Sequence, residues 1–356
     1  MPSSVRDAPI LVTGGAGFIG SALVRHLVLD LDQSVVNVDL LTYAGHRASV
    51  ASVEASPRYR FAQVDIANAP QVDGLLRLHR PRAIVHLAAE SHVDRSIAGP
   101  AAFVHTNVVG TFTLLEQATR YWLTLPVDER DAFRFVHVST DEVFGSLGDV
   151  GAFDAASPYR PSSPYAASKA ASDHFARAWR RTYGLPVIVT TSTNNYGPRQ
   201  HPEKLIPLVL HQALAGAAIP IYGAGTQVRD WMHVSDHVQG LVAALERGVA
   251  GETYLLGAHD PRANTDIVAR LCALLDLARP DHAPHARLVT HVADRPGHDE
   301  RYAVDTTATR EALGWAPVVS LDEGLRDTVA WYLANQAWVS AMLTSDAEGR
   351  EREHAA

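Results

Sequence analysis

Ile10-Leu11-Val12-Thr13-Gly14-Gly15-Ala16-Gly17-Phe18-Ile19-Gly20 is the stretch that decides the fold. Four strand-forming residues run directly into a glycine-rich turn, and a helical run, Ser21 to Leu29, follows. Gly15, Gly17 and Gly20 keep G-x-G-x-x-G spacing in a strand–turn–helix setting. There a Cβ would block the tight turn, the approach of a pyrophosphate, or the packing of helix on strand. The helix N-terminus beyond the turn offers unpaired N–H groups to phosphate. A second strand then closes on Asp39, about 20 residues after the turn, where a carboxylate accepts from ribose hydroxyls. Asp39 would repel a 2′-phosphate, and Leu40 rather than an arginine follows it. The expected cofactor is NAD, not NADP.

Outward from this turn, short apolar runs alternate with longer amphipathic ones: Val35–Asp39, Arg60–Asp65, Ala83–Ala88, Phe133–Ser139 and Pro186–Thr191. Runs that are apolar on both faces are buried parallel strands, so the expected fold is α/β, a doubly wound parallel Rossmann-type sheet. After about Thr193 the punctuation changes to Gly197-Pro198, Ile219-Pro220 and Gly223-Ala224-Gly225, which suits a smaller mixed α/β domain. The expected division is a cofactor domain over residues 1–192, with a helical return at about 226–250, and a substrate-binding domain over 193–225 and 251–335. The polar end, residues 344–356, reads as a disordered tail.

The chain has 356 residues, 47% of them hydrophobic, enough for a sizeable core. Its 31 Lys and Arg against 39 Asp and Glu give a formal charge of −8. Nucleic acid and anionic membranes are therefore poor partners, and an anionic ligand would need local cations. The single cysteine, Cys272, sits in an apolar run and reads as core. Met1 to Pro9 lacks the apolar stretch of a signal peptide, and no run approaches the roughly 20 apolar residues that span a bilayer. A cytoplasmic protein is expected.

The Phe133–Ser139 strand empties into Thr140-Asp141-Glu142-Val143-Phe144-Gly145. Ligands of open α/β sheets collect at the carboxyl ends of strands, so these acids belong at a reaction centre. Further on, Pro164-Tyr165-Ala166-Ala167-Ser168-Lys169 sets Tyr165 and Lys169 one helical turn apart on one face. An ammonium near a phenol favours phenolate and would lower the tyrosine pKa towards that of a working base. His282, His285, His291 and His298 are irregularly spaced and make no compact ligand set, so no metal is expected.

With these residues in view, the sequence resembles the extended short-chain dehydrogenase/reductase family, and within it the dTDP-glucose 4,6-dehydratases. The resemblance runs from Ile10 to about Tyr332. It takes in the glycine turn, Leu41-Thr42-Tyr43-Ala44-Gly45, His86 to Ser96, Thr140-Asp141-Glu142, and the Tyr165–Lys169 pair. It continues through Asn194 to Pro198, Pro202 to Pro207, Val228 to Trp231 and Asp294 to Asp299. It implies a lyase that makes a 4-keto-6-deoxy sugar from a nucleoside-diphosphate hexose by internal hydride transfer through NAD.

By that resemblance Tyr165 takes the sugar 4-hydroxyl proton, Thr140 holds that hydroxyl, and Lys169 anchors the cofactor ribose. Glu142 removes the C5 proton while Asp141 protonates the departing C6 hydroxyl. The implied cofactor contacts are Gly14, Gly17, Phe18, Ile19, Gly20, Asp39, Thr42, Asp65, Ile66, Ala88, Thr106 and Asn195, together with Tyr165 and Lys169. Lys204, Arg229, Arg295 and His298 would meet the pyrophosphate, with Ser91, Asn194, Leu205, Pro220, Tyr222 and Asn264 around sugar or base. A homodimer is implied, packed through the segments after Asn107 and after Tyr165. Phe144, Arg199 and Ala224 depart from residues common in the family. Three alternatives remain open on the sequence: a dehydratase for another nucleotide sugar, a nucleotide-sugar 4-epimerase or decarboxylase, and an inert NAD-binding regulator. The Asp141–Glu142 pair speaks against the epimerase, and the Tyr165–Lys169 pair against the regulator.

Overall fold

The computed structural model describes residues 8–344, so the tail expected at 344–356 lies outside the described residues but for its first position. The sheet strands are β1 (Ile10–Thr13), β2 (Val35–Asp39), β3 (Tyr59–Gln63), β4 (Ala83–His86), β5 (Arg134–Thr140), β6 (Val187–Ser192) and β10 (Thr253–Leu256). They pair in parallel in the order β10-β6-β5-β4-β1-β2-β3, the doubly wound sheet expected from the sequence. Strand order reverses between β1 and β4, so the loops leaving these strands diverge and open a crevice at their carboxyl ends. Thr13 is level with His86, and His86 with His137, which sets the crest of the crevice in one plane.

Residues alternate between the two faces. Ile10, Val12, Val136 and Val138 pack beneath α1 (Phe18–Arg25), which supplies Leu23 and Val24. Leu11, Ile84 and Phe135 pack on the opposite layer, against α2 (Ala69–His79). In β5 this leaves His137 and Ser139 on the same face as Phe135. That face is covered by α4 (Thr111–Leu123) and α5 (Pro164–Tyr183), with Leu115 and Ala176 in the shared core. Between α2 and α4 in the chain comes the short helix α3 (Val93–Ala98). Helix α5 has the ends its sequence dictates: Ser163 Oγ accepts from the Ala166 amide at 3.1 Å, Pro164 opens the first turn, and Gly184 takes a left-handed φ of 79° at the stop.

The smaller lobe has a three-stranded sheet of β7 (Asn194–Tyr196), β9 (Val228–His233) and β11 (Pro261–Ala263), and a pair formed by β8 (Ile219–Tyr222) and β12 (Val289–Val292). Its core joins α6 (Leu205–Leu214), α8 (Asn264–Ala278) and α9 (Leu321–Ala334) through Ile206, Leu271, Leu325 and Tyr332. Cys272 is buried in it.

Part of the stretch 226–250 belongs to each lobe. Val228–His233 is a strand of the small sheet, held by register with β7 and β11. The return consists of α7 (Val234–Arg247), which adds Val238 and Leu241 to the α1 face, and of β10, which pairs with β6. A four-residue strand carries too little periodicity to announce itself in the sequence. Likewise β3 ends at Gln63, because its partner β2 ends opposite it at Asp39. Among the described residues no helix is long and apolar enough to cross a membrane.

Candidate active site

Two clefts meet over the crest of the large sheet. Every residue expected at the cofactor lines the first, from Gly14 and Asp39 through Asp65, Thr106 and Asn195 to Tyr165 and Lys169. Leu205, Pro220, Tyr222, Arg229, Asn264, Arg295 and His298 line the second. Thr140 and Asp141 line the first cleft only, while Ser91, Asn194, Lys204 and Glu142 belong to both. Asn195, Gln200 and Glu203 complete the shared wall.

The first cleft is shaped for a dinucleotide. A Cβ on Gly20 would lie 2.1 Å from the Gly14 carbonyl oxygen, so α1 can pass the turn this closely only with glycine there. Gly14 itself has a φ of +70° and lies against the Ala88 backbone. Helix α1 begins at Gly17 with no side-chain cap and no acid in its first turn, which leaves its N–H groups for an anion. Asp39 accepts from the Ala16 amide with one oxygen and the Leu41 amide with the other, both at 2.8 Å. Those bonds fix the carboxylate and leave lone pairs for ribose hydroxyls. The residues present therefore fit NAD.

Between the clefts, β5 ends at Thr140 and a single 3₁₀ turn, Asp141–Phe144, follows. The Thr140 hydroxyl accepts from the Glu142 amide at 3.4 Å, and Gly145, at φ 79°, ends the turn. Phe144, one of the departures, stacks on Phe153 at 4.9 Å beneath it. Asp141 is buried at 2% exposure, and its Oδ2 has no hydrogen-bond partner among the described residues. Burial, then the neighbouring Glu142, hold its carboxyl well above the usual range. Burial also raises Glu142, but Lys204, Arg229 and Arg295 all pull it back. One acid thus favours its proton and its neighbour faces three cations, the separation an acid–base pair requires.

Tyr165 and Lys169 lie on the buried face of α5. The Lys169 ammonium donates to the Val138 carbonyl at 2.8 Å. Burial and then Glu142 push the Tyr165 phenol above its ordinary value, and the Thr140 hydroxyl bonded to it pulls the other way. This differs from the lowering expected from sequence, because burial and the neighbouring acids dominate the phenol while the Lys169 ammonium is turned to the Val138 carbonyl.

The cations of the second cleft are held by acids and carbonyls that the sequence reading did not single out. Arg229 donates to the Asp299 carbonyl at 2.7 Å and lies over the Tyr302 ring at 4.3 Å. Arg295 grips Asp94, His298 pairs with Asp294 at 2.7 Å, and Lys204 donates to the Ser91 carbonyl at 2.9 Å. Arg95 lies 3.7 Å over the Tyr43 ring and 3.5 Å from Glu203, tying the loop beside Asp39 to the shared wall. Most of these partners lie in stretches the resemblance already covers, but nothing local marks which residue each would meet. Arg199 lies outside both clefts, at φ 68° over Trp331. Among the described residues no three His, Cys, Asp or Glu side chains come together in a way that could hold a metal ion.

The fold and the paired clefts define an extended short-chain dehydrogenase/reductase. More narrowly, the chain belongs to the GDP-mannose 4,6 dehydratase family, whose profile matches residues 11–328. It is 54% identical over 339 residues to dTDP-glucose 4,6-dehydratase 1 of Escherichia coli strain K12, covering 93% of this chain and 94% of that one. It is 54% identical over 334 residues to the dTDP-glucose 4,6-dehydratase of Neisseria meningitidis, covering 92% and 94%. Among solved structures it is similar to DesIV, a dTDP-glucose 4,6-dehydratase of Streptomyces venezuelae crystallised with NAD. That match has a TM-score of 0.87 at 47% identity and covers 94% of this chain and 99% of the other.

Proposed function

We propose that this chain dehydrates dTDP-glucose to the 4-keto-6-deoxy sugar with NAD held in the first cleft. The observation that carries the reading is the Asp141–Glu142 pair at the end of β5, both carboxyls raised by burial, Asp141 the more strongly, in the cleft that the glycine turn also lines. NAD supplies a hydride acceptor for C4 and then a hydride donor for C6. Tyr165 takes the 4-hydroxyl proton, Thr140 hydrogen-bonds that hydroxyl, and Lys169 holds the ribose and favours the phenolate. Once C4 is a ketone, its electron withdrawal makes the C5 proton acidic. Glu142 takes that proton and Asp141 gives its own to the C6 hydroxyl as water leaves, and Glu142, after exchange with solvent, returns a proton to C5 when C6 is reduced.

Lys204, Arg229, Arg295 and His298 hold the diphosphate of the substrate, supplying the local cations that a chain of net charge −8 needs to bind an anion. Ser91, Asn194, Leu205, Pro220, Tyr222 and Asn264 surround sugar and base. The 54% identity to dehydratases named for dTDP-glucose supports that nucleotide. NAD is cycled and not consumed, so the enzyme is a lyase.

The protein acts in the cytoplasm, where NAD and nucleotide sugars are made, and works as a homodimer. Support for the dimer is an aromatic face on α4 and α5. Phe112 meets Trp179 at 5.7 Å and Phe175 at 6.3 Å, and Val104, Val109 and Tyr183 are exposed beside them. The residue-range division is a lobe of residues 1–192 with the return through α7 and β10 for NAD, and the remainder for the nucleotide sugar.

The experiment is conversion of dTDP-glucose in deuterated water, with the product followed by mass spectrometry and NMR. A 4-keto-6-deoxy product carrying deuterium at C5 supports the reading. Conversion of another nucleoside-diphosphate sugar alone would move the substrate and keep the chemistry. An epimer, or no turnover of any nucleotide sugar, would overturn it.

A further inference from the structure

Behind the catalytic face of α5 lies a second acid that the reaction does not touch. Asp173 is fully buried. Its Oδ1 accepts from His137 Nε2 at 2.9 Å, and its Oδ2 from the Ser139 hydroxyl at 2.6 Å and the Tyr159 hydroxyl at 2.8 Å. His137 and Ser139 reach it because they share one face of β5, and Tyr159 arrives from the loop before α5, itself bonded by Arg177 at 2.8 Å.

Asp173 stands one helical turn beyond Lys169, so the two point the same way from α5 into the sheet. Lys169 is 5% exposed, and a buried ammonium loses its proton unless an anion compensates its lost hydration. The neighbouring rings do not compensate it. His137 is 5.3 Å from His86, and burial pushes both below the ordinary histidine range, joined by His137 and Lys169 at His86 and by Lys169, against Asp173, at His137. Asp173, by contrast, is held below the usual carboxylate range in spite of burial, first by the bond from His137 and that ring's charge when protonated, then by the Lys169 charge and the Ser139 bond.

Resting on the reading of Lys169 given above, we infer that Asp173 is a positioning residue: the counter-anion, fixed by His137, Ser139 and Tyr159, that keeps Lys169 charged and in place for Tyr165. Other charges facing this group are Arg177 on α5 and, on the turn after β5, Asp141 and Glu142, which act on Tyr165. Asp173 itself acts directly on Tyr165 in the unfavourable sense, as a like charge to phenolate. The two effects of removing it therefore have opposite signs.

The test uses Asp173→Asn, which keeps the shape and loses the charge, in the full-length, NAD-loaded protein. If Asp173 works through Lys169, the neutralised lysine no longer favours phenolate. The acidic limb of the C4 hydride-transfer rate, read as NADH formed in a single turnover because that is the step Tyr165 serves, then moves up by about one pH unit, and kcat at neutral pH falls roughly ten- to a hundredfold. A downward or unmoved limb would overturn the inference, since Asp173 would then be only a like-charge neighbour or a structural hydrogen-bond acceptor.

A second readout needs no turnover. Lys169→Met strands the Asp173 charge, so the Lys169→Met/Asp173→Asn protein should melt higher than Lys169→Met alone. Simple addition of the two losses would sink the pairing, as would failure of the double variant to fold where Lys169→Met folds. If Asp173→Asn alone is unfolded, recovery of the fold in the double variant carries the same answer. Should the wild-type protein turn over no nucleotide sugar, the melting comparison still reports on the coupling of the two charges, so failure of the functional reading is seen separately.

Discussion

The guanidinium of Arg295 and the carboxylate of Asp94 meet edge to edge, Nε on Oδ1 at 2.6 Å and Nη2 on Oδ2 at 2.9 Å, across 201 residues of sequence. The Tyr222 hydroxyl donates to the same Oδ2 at 3.2 Å, and the Arg295 guanidinium lies 5.2 Å over the Tyr222 ring. This two-point grip joins the 294–298 loop of the small lobe to α3 on the large one and leaves Nη1 for the second cleft.

A lysine cannot grip Asp94 and also reach the diphosphate. Arg295→Lys should therefore raise KM for the nucleotide sugar by about tenfold while changing kcat less, the loss of one charge-assisted hydrogen bond in binding. Steady-state kinetics at saturating and limiting substrate separate the two parameters. Equal falls in kcat and kcat/KM would place Arg295 in the chemical step.

Glu142→Gln removes the base and keeps the size. Turnover should fall roughly a hundred- to ten-thousandfold. Substrate incubated with a stoichiometric amount of the variant should still transfer its C4 hydride, seen as NADH absorbance that persists. Loss of that signal along with turnover would mean that Glu142 serves the oxidation step as well.

The pH dependence follows from the raised carboxyls. Glu142 works as an anion, so activity is lost as pH falls through a value above the ordinary glutamate range. Asp141 works as an acid, so activity is lost as pH rises through its own, more strongly raised value. The stability consequence has a definite sign. A carboxyl raised on folding gives stability that is complete below its unfolded pKa and lost as pH rises through the folded one. Asp141→Asn removes that loss and should melt a few degrees higher, about 2–4 °C, at neutral pH. Thermal melts across the pH range check this, with the gain over wild type growing as pH rises.

Two glycines separate backbone necessity from mere permissiveness. Gly20→Ala puts a methyl group 2.1 Å from the Gly14 carbonyl oxygen, and the purified protein should have lost its bound NAD. Gly74, inside α2, has nothing within 4 Å of a Cβ. Gly74→Ala should stabilise the fold by about 0.5–1 kcal/mol through helix propensity, read from denaturant melts.

The large sheet was legible because glycine spacing and two-sided apolar runs are local signals, and they also placed Asp39 and the Thr140–Glu142 turn. Tyr165 and Lys169 were legible for a similar reason, since one helical turn fixes a shared face. What escaped was pairing over distance. Asp94 meets Arg295, Arg95 meets Tyr43 and Asp173 meets His137 because separate elements pack together, and no periodicity in either segment records its partner. Asp173 did leave one trace, its place one turn after Lys169. The strand β10 was not legible because four residues paired on one edge read like any short apolar run.

Gln200, Glu203 and Lys204 form a partition with one surface in each cleft. Binding around such a partition is a closed thermodynamic cycle, so whatever factor the nucleotide sugar adds to the affinity for NAD, NAD adds to the affinity for the nucleotide sugar. Where that factor exceeds one, the cofactor is most easily stripped from the idle protein, and a nucleotide left in the wash buffer acts as a preservative for the holoenzyme.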